Sequence, residues 1–203
     1  MIDFSKADLL CDPDATFHIA RRPVLVEDCD DEAWLATDGR CAIAAWNVGF
    51  VPGAAVQWDS VASVVGGEGA GRRLKTSVRA LRAWAPSLGL PPPCEACRAS
   101  QDADRRPCSI CLGSGWRSAG GPDHAIVMGV GIDRCLLARC LAILDVPDAE
   151  TVDVSISLDG PAMILFDGRG WSARAGWRIV VAPMRLSEAD AAGLADLADF
   201  VEC

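Results

Sequence analysis

The sequence predicts an α+β domain, an antiparallel sheet with packed helices, interrupted by a small cysteine-bearing insertion. Three observations carry that expectation. Of 203 residues, 51% are hydrophobic, enough to bury the core of one large domain. Short apolar runs are joined by Asp-rich and Asp-Gly turns, the chemistry of hairpins. Between Pro86 and Pro122 that pattern gives way to polar sequence with paired cysteines.

The elements follow in order. Pro23–Glu27 reads as a strand, and the acidic run Asp28-Cys29-Asp30-Asp31 as the turn after it. Ala33–Ala36, the turn Thr37-Asp38-Gly39-Arg40 and Cys41–Trp46 repeat the theme, so 23–46 forms an antiparallel meander. Trp58–Val65 suits a short helix and Gly66–Gly71 a flexible joint. A helix is expected over Arg72–Ala85, ended by Pro86 and the run Pro91-Pro92-Pro93. Beyond Gly120-Gly121-Pro122, a strand is expected over Ala125–Gly129 and a helix from Asp133 to Leu144. Val152–Ser157, Ala162–Phe166, Trp171–Ala175 and Arg178–Ala182 read as strands, with Asp159-Gly160 and Asp167-Gly168 as turns. Ser187, with Glu188 and Asp190 behind it, caps a C-terminal helix.

No apolar run approaches the ~18 residues that span a membrane, and Met1-Ile2-Asp3-Phe4 lacks the basic start of a secretory signal. A cytoplasmic protein is expected. Net charge is −9, which argues against coating nucleic acid by overall attraction and directs attention to where the cations lie. Of ten cysteines, Cys11, Cys29, Cys41, Cys135, Cys140 and Cys203 are scattered and read as small core or surface residues.

The other four are not scattered. Cys94 and Cys97 form one C-x-x-C pair, and Cys108 and Cys111 a second. Each turn sets two sulfurs on one side of a metal, and two turns complete a tetrahedron with Zn–S distances of about 2.3 Å. Gln101–Pro107 between them is too polar to pack itself, so the metal would order it. Four thiolates close the shell, which makes structural Zn2+ the expectation rather than a hydrolytic centre. His124 is an alternative ligand, and redox use of the pairs a further alternative. Cys108–Gly115 resembles the C-x-x-C-x-G-x-G zinc repeat of DnaJ-type chaperones, a resemblance that covers one repeat and implies the metal but not chaperone activity.

On a helix over 72–85, Arg72, Lys75, Arg79 and Arg82 would share one face at ~100° per residue, with Leu74, Val78, Leu81 and Ala85 on an adjoining arc. Such a face is a solvated surface, a phosphate-tracking nucleic-acid surface or an anionic-membrane surface. Flanking aromatics are limited to Trp84, so nucleic acid is the better functional reading, without base-specific readout.

Met128–Asp133 with Leu136-Leu137 and Leu141–Leu144, then Val152–Phe166, then Arg178–Leu186 ending in Pro183-Met184-Arg185-Leu186, together resemble the last domain of the bacterial DNA polymerase III sliding clamp (beta clamp). Val24–Trp46, with Ala36-Thr37-Asp38-Gly39, is compatible with its earlier strands. The resemblance implies one clamp-like domain from residues 1–51 and 124–186, an insertion over 52–123 carrying the basic helix and the zinc lobe, and a C-terminal helix over 187–203. It also implies contacts to double-stranded DNA through phosphates, replication proteins as partners at Pro183, Met184 and Arg185, and no enzymatic activity. One such domain cannot encircle DNA, so a homo-oligomer is expected, with a lone module as the alternative. The apolar residues of the last helix (Leu194, Leu197, Phe200, Val201) would lie across the partner pocket or form a subunit contact.

No paired-carboxylate signature, defensible catalytic triad or P-loop stands in the sequence. The functional expectation is a DNA-associated module with structural zinc; the alternative is a protein-interaction adaptor that touches no nucleic acid.

Overall fold

The computed structural model describes residues 3, 6, 9–11, 20, 22–28, 31–46, 54–57, 61, 65, 69–85, 124–157, 162–187, 191, 194 and 196–201. The chain is mixed α+β, dominated by one eight-stranded sheet ordered β4-β1-β2-β3-β10-β9-β8-β5. Its strands are β1 (Val24–Asp28), β2 (Asp31–Thr37), β3 (Cys41–Trp46), β4 (Ala54–Gln57), β5 (Gly69–Ser77), β8 (Thr151–Ser157), β9 (Met163–Gly168) and β10 (Trp177–Val181). All neighbours pair antiparallel except β1 and β4, which run parallel. A separate hairpin is made by β6 (His124–Val127) and β7 (Val130–Asp133).

Side-chain alternation divides the interior into two layers. Ile43, Ile164, Phe166, Ile179 and Val181 face helices α1 (Val78–Trp84), α2 (Arg134–Ile143) and α3 (Leu197–Val201), where Leu81, Leu137, Ile143 and Leu197 meet them. On the opposite face Val24, Val26, Leu35, Leu165 and Val180 pack with Val61 and Val65. All six residues of β3 are buried, as suits a strand in mid-sheet with cover on both sides.

Local chemistry explains the turns. At the β2–β3 connection Gly39 takes a φ of 84°, while Asp38 Oδ1 accepts from the Arg40 and Cys41 amides at 2.8 and 2.9 Å. This Asx-type turn sets the register of Ala36 opposite Ile43. Asp133 caps α2 through the Cys135 amide at 2.9 Å. Gly168 is required for packing: a Cβ there would lie 2.2 Å from the Trp177 indole, which is anchored through Nε1 to Glu150 Oε1 at 2.6 Å.

Several expectations are corrected. The helix expected over 72–85 begins only at Val78; the residues before it form β5 along β8, with Leu74 opposite Val154 and Thr76 opposite Val152. Ser77 stops the strand because its extended backbone (φ −125°, ψ 159°) lets its hydroxyl accept from the Ala80 amide as an N-cap. The strand expected over Ala125–Gly129 is β6, which ends at Val127. Met128 and Gly129 take positive φ values of 51° and 83°, turning β6 back into β7. Trp171–Ala175 contains a 3-10 turn, Trp171–Ala173, bounded by left-handed Gly170 and Arg174, so no strand passes there.

Residues 54–57 and 69–85, within the expected 52–123 insertion, contribute two strands to the main sheet, and Val78, Leu81 and Trp84 to its core. Of the short helix expected over Trp58–Val65, Val61 and Val65 are described, joined by one helical hydrogen bond of 3.0 Å. Ser187 O accepts from the Ala191 amide at 2.9 Å, but the described C-terminal helix is α3. Asp196 precedes it, bridging to Ile126 of β6.

Candidate nucleic-acid interface

The four expected cations do not share one helix face. Lys75 projects from β5, in register with Asp153 of β8, on the sheet face away from Leu74 and the main core. Arg79 and Arg82 belong to α1, whose Val78, Leu81 and Trp84 are buried. Arg72 lies on β5 where the register shifts between Ala70 and Leu74; its side chain is outside the described residues. Lys75, Arg79 and Arg82 are exposed, as is Arg73, which sequence reasoning left out because it fell off the helical spacing.

The strand-to-helix corner is held by backbone. The first-turn amides of Val78 and Arg79, which no helical partner can satisfy, donate to Glu150 O at 3.0 Å and Asp148 O at 2.8 Å. Arg82 closes the same corner. Its guanidinium pairs with the Asp148 carboxylate and donates to Leu144 O at 2.7 Å, capping carbonyls at the end of α2. Arg82 is therefore spoken for within the chain. Lys75 and Arg79 stand outward on two elements fixed to each other.

A line of charge runs across the sheet beyond Lys75. Asp153 is in register with Asp167, and Asp167 with Arg178. Arg178 is bidentate on Asp167, at 2.5 Å from Nε and 2.8 Å from Nη2, and its guanidinium lies 4.8 Å from the centre of the Trp171 ring. Its other nitrogen, Nη1, donates to Val65 O at 3.3 Å. This buried arginine holds the strand core to the segment packed over it. The alternation Arg178-Ile179-Val180-Val181 was its only sequence signal, since a charged residue at an inward position demands a partner.

Pro183 and Arg185 are exposed and Met184 is half-buried. Met184 donates its amide to Gly131 O at 2.7 Å, and the Leu186 side chain lies against Gly131, so the chain leaving β10 crosses the β6–β7 hairpin. On that hairpin Asp196 accepts from the Met128 and Gly129 amides at 3.0 and 3.1 Å, and from Ala198 of α3 at 3.0 Å. Leu197 is fully buried in the main core, Val201 half-buried and Phe200 exposed at 45%.

A cleft of about 830 Å³ opens elsewhere, lined by Trp46, Pro147, Glu150, Arg169, Gly170 and Trp177. Its carboxylate, Glu150, is occupied by the Trp177 indole.

Cys94, Cys97, Cys108 and Cys111 lie outside the described residues. Among the described residues no group of three or more His, Cys, Asp or Glu is placed to hold a metal. His124 opens β6, in register with Asp133. Among the described residues no helix is long and apolar enough to cross a membrane.

Comparison with protein-family models, with curated proteins and with solved structures gives no match for this chain.

Proposed function

We propose that the chain is a non-enzymatic, sliding-clamp-like module that associates with double-stranded DNA through its phosphates and carries a structural zinc lobe. The observation that supports the DNA contact is the exposed run of Arg73, Lys75 and Arg79, which passes from a sheet edge onto a helix whose start is pinned by the 148–150 backbone. Cations on fixed elements lose little freedom on meeting phosphates, and each phosphate neutralised contributes about 0.9 to the slope of log K against log salt. Arg72 would join them, while Arg82 contributes less because Asp148 already holds it. Cys94, Cys97, Cys108 and Cys111 would take one Zn2+, Pro183, Met184 and Arg185 would meet a replication protein, and identical chains would assemble in a homo-oligomer.

The test is a titration of the zinc-loaded chain with duplex DNA at several salt concentrations. Lys75→Ala and Arg79→Ala should each flatten the slope by roughly one unit, with no change in sequence preference; Arg82→Ala should flatten it less. No measurable affinity, or an affinity indifferent to salt, defeats the DNA reading. Metal analysis of the purified chain should return one zinc per chain, lost in Cys108→Ser.

The adaptor reading has its own support. Lys75 faces Asp153 across the strand pair and Arg82 is paired with Asp148, so two of the four cations already have acidic neighbours. Partner capture that survives charge reversal at Arg72, Lys75, Arg79 and Arg82 would favour it.

A further inference from the structure

Two cysteines that the proposed function does not use meet in the core. Cys41 opens β3 and Cys140 sits in the middle of α2, and both are buried, at 3% and 0% exposure. Cys140 Sγ lies 3.9 Å from the carbonyl oxygen of Ala42, the residue after Cys41. The Cys41 thiol in turn approaches Asp38 Oδ1 at 3.5 Å, and both cysteines belong to the same buried core cluster. The placement of the two cysteines follows from how α2 packs against β3 within that cluster.

We propose that Cys41 and Cys140 form an oxidisable pair that closes as a disulfide, stapling α2 to β3 as the chain folds in the presence of a low-molecular-weight disulfide such as oxidised glutathione. The Cys41 thiolate attacks one glutathione sulfur, the S–S bond of glutathione breaks, and one glutathione thiolate leaves. The Cys140 thiolate then attacks the Cys41 sulfur of the mixed disulfide and expels the second glutathione thiolate. The pair has given up two protons and two electrons, and one glutathione disulfide has become two glutathione thiols.

Timing follows from the environment. Once the core closes, the hydrogen bond from Cys140 and then burial hold the Cys41 thiol well above its ordinary pKa, and a neutral, enclosed thiol is a poor nucleophile. Exchange therefore belongs to the folding chain, before α2 settles. The bond would close a loop of about a hundred residues, long enough for the cross-link to restrict the unfolded chain strongly.

The experiment uses the full zinc-loaded chain, reduced, unfolded and refolded over a series of reduced-to-oxidised glutathione ratios. Free thiols are alkylated, and the chain is digested without reductant for mass spectrometry. The expected product is a peptide pair joining Cys41 to Cys140, formed much faster in refolding chain than in native reduced protein, and absent in Cys140→Ser. The linked protein should melt above the reduced one, with no such redox-dependent shift in Cys140→Ser. Alkylation of both thiols in the refolded wild-type chain at every ratio would overturn the proposal. So would consistent linkage of either cysteine to a different one, and equal closing rates in native and refolding chains would overturn the folding-time step.

Discussion

The Asp38–Arg139 pair and the Arg82–Asp148 pair are chemically alike and differ in burial, so together they test how burial sets the cost of breaking an ion pair. Arg139 Nη2 meets Asp38 Oδ2 at 2.8 Å with side-chain exposures of 10% and 11%. Arg82 and Asp148 are 37% and 49% exposed. Asp38→Ala leaves a guanidinium in the core with Leu9 O, at 3.4 Å, as its remaining acceptor among the described residues. It also strips the acceptor from the Arg40 and Cys41 amides. Removing one partner of a buried pair costs about 3–5 kcal/mol. For a chain of this size each kcal/mol lowers Tm by about 2–4 °C, so the expected fall is roughly 6–20 °C. Asp148→Ala removes a solvated partner and should cost no more than about 1 kcal/mol, or under about 4 °C. Thermal unfolding of both variants with zinc held saturating, followed by circular dichroism, reads the difference. The double variant Asp38→Leu, Arg139→Met should recover part of the loss, because no charge is left buried without a partner. Equal, small shifts for Asp38→Ala and Asp148→Ala would refute the argument from burial.

Ser77→Ala removes the cap that ends β5 and starts α1 and should lower stability by about 1 kcal/mol, read as a shift in the urea midpoint at unchanged m-value. Gly168→Ala places a methyl group where the Trp177 indole lies. The expected cost is about 1–3 kcal/mol of overpacking, and a variant as stable as the parent would show that the indole moves freely. Stability of the reduced protein should also fall in alkali. Cys41 keeps its proton in the fold above its ordinary pKa, owing to the Cys140 hydrogen bond and burial. Below about pH 8.5 the thiol is protonated in both states and its contribution is complete. Above that the unfolded chain ionises first, and this contribution falls by about 1.4 kcal/mol per pH unit until the folded thiol titrates. Urea midpoints from pH 7.5 to 10 should decline less steeply in Cys41→Ala, and parallel curves would refute the assignment.

The parts of the fold legible in the sequence are those set by local chemistry. Asp38-Gly39 announced the β2–β3 turn, Asp133 the start of α2, and the apolar runs β8, β9 and β10 stood near their expected places. β4 was invisible because its four residues, Ala-Ala-Val-Gln, gain their structure from parallel pairing with β1, a contact that no local pattern records. The error at 72–77 has a physical cause. An edge strand tolerates Arg73 and Lys75 because one flank and one face are open to water, and cations three and four apart in sequence imitate a helix face. Ser77 was the available correction, a strong N-cap residue read as helix interior. The site was legible only as composition: the cations were identifiable, but Asp148 and Asp153, which partner Arg82 and face Lys75, stand far along the chain from them and meet them only in the fold.

Strand β3 sits between β2 and β10, with all six of its residues, Cys-Ala-Ile-Ala-Ala-Trp, buried. On a ribosome, β1 to β3 emerge early, while the partner for the free flank of β3 is encoded from Trp177 onward. At 5–20 residues per second that flank waits about 7 to 26 seconds. Throughout that interval the nascent chain presents an apolar, charge-free strand edge, open to pairing with its neighbours on a polysome. Production of this protein should thus be limited by how well the nascent chain is shielded, and slower translation before Trp177 should cost soluble yield even though the finished fold is unchanged.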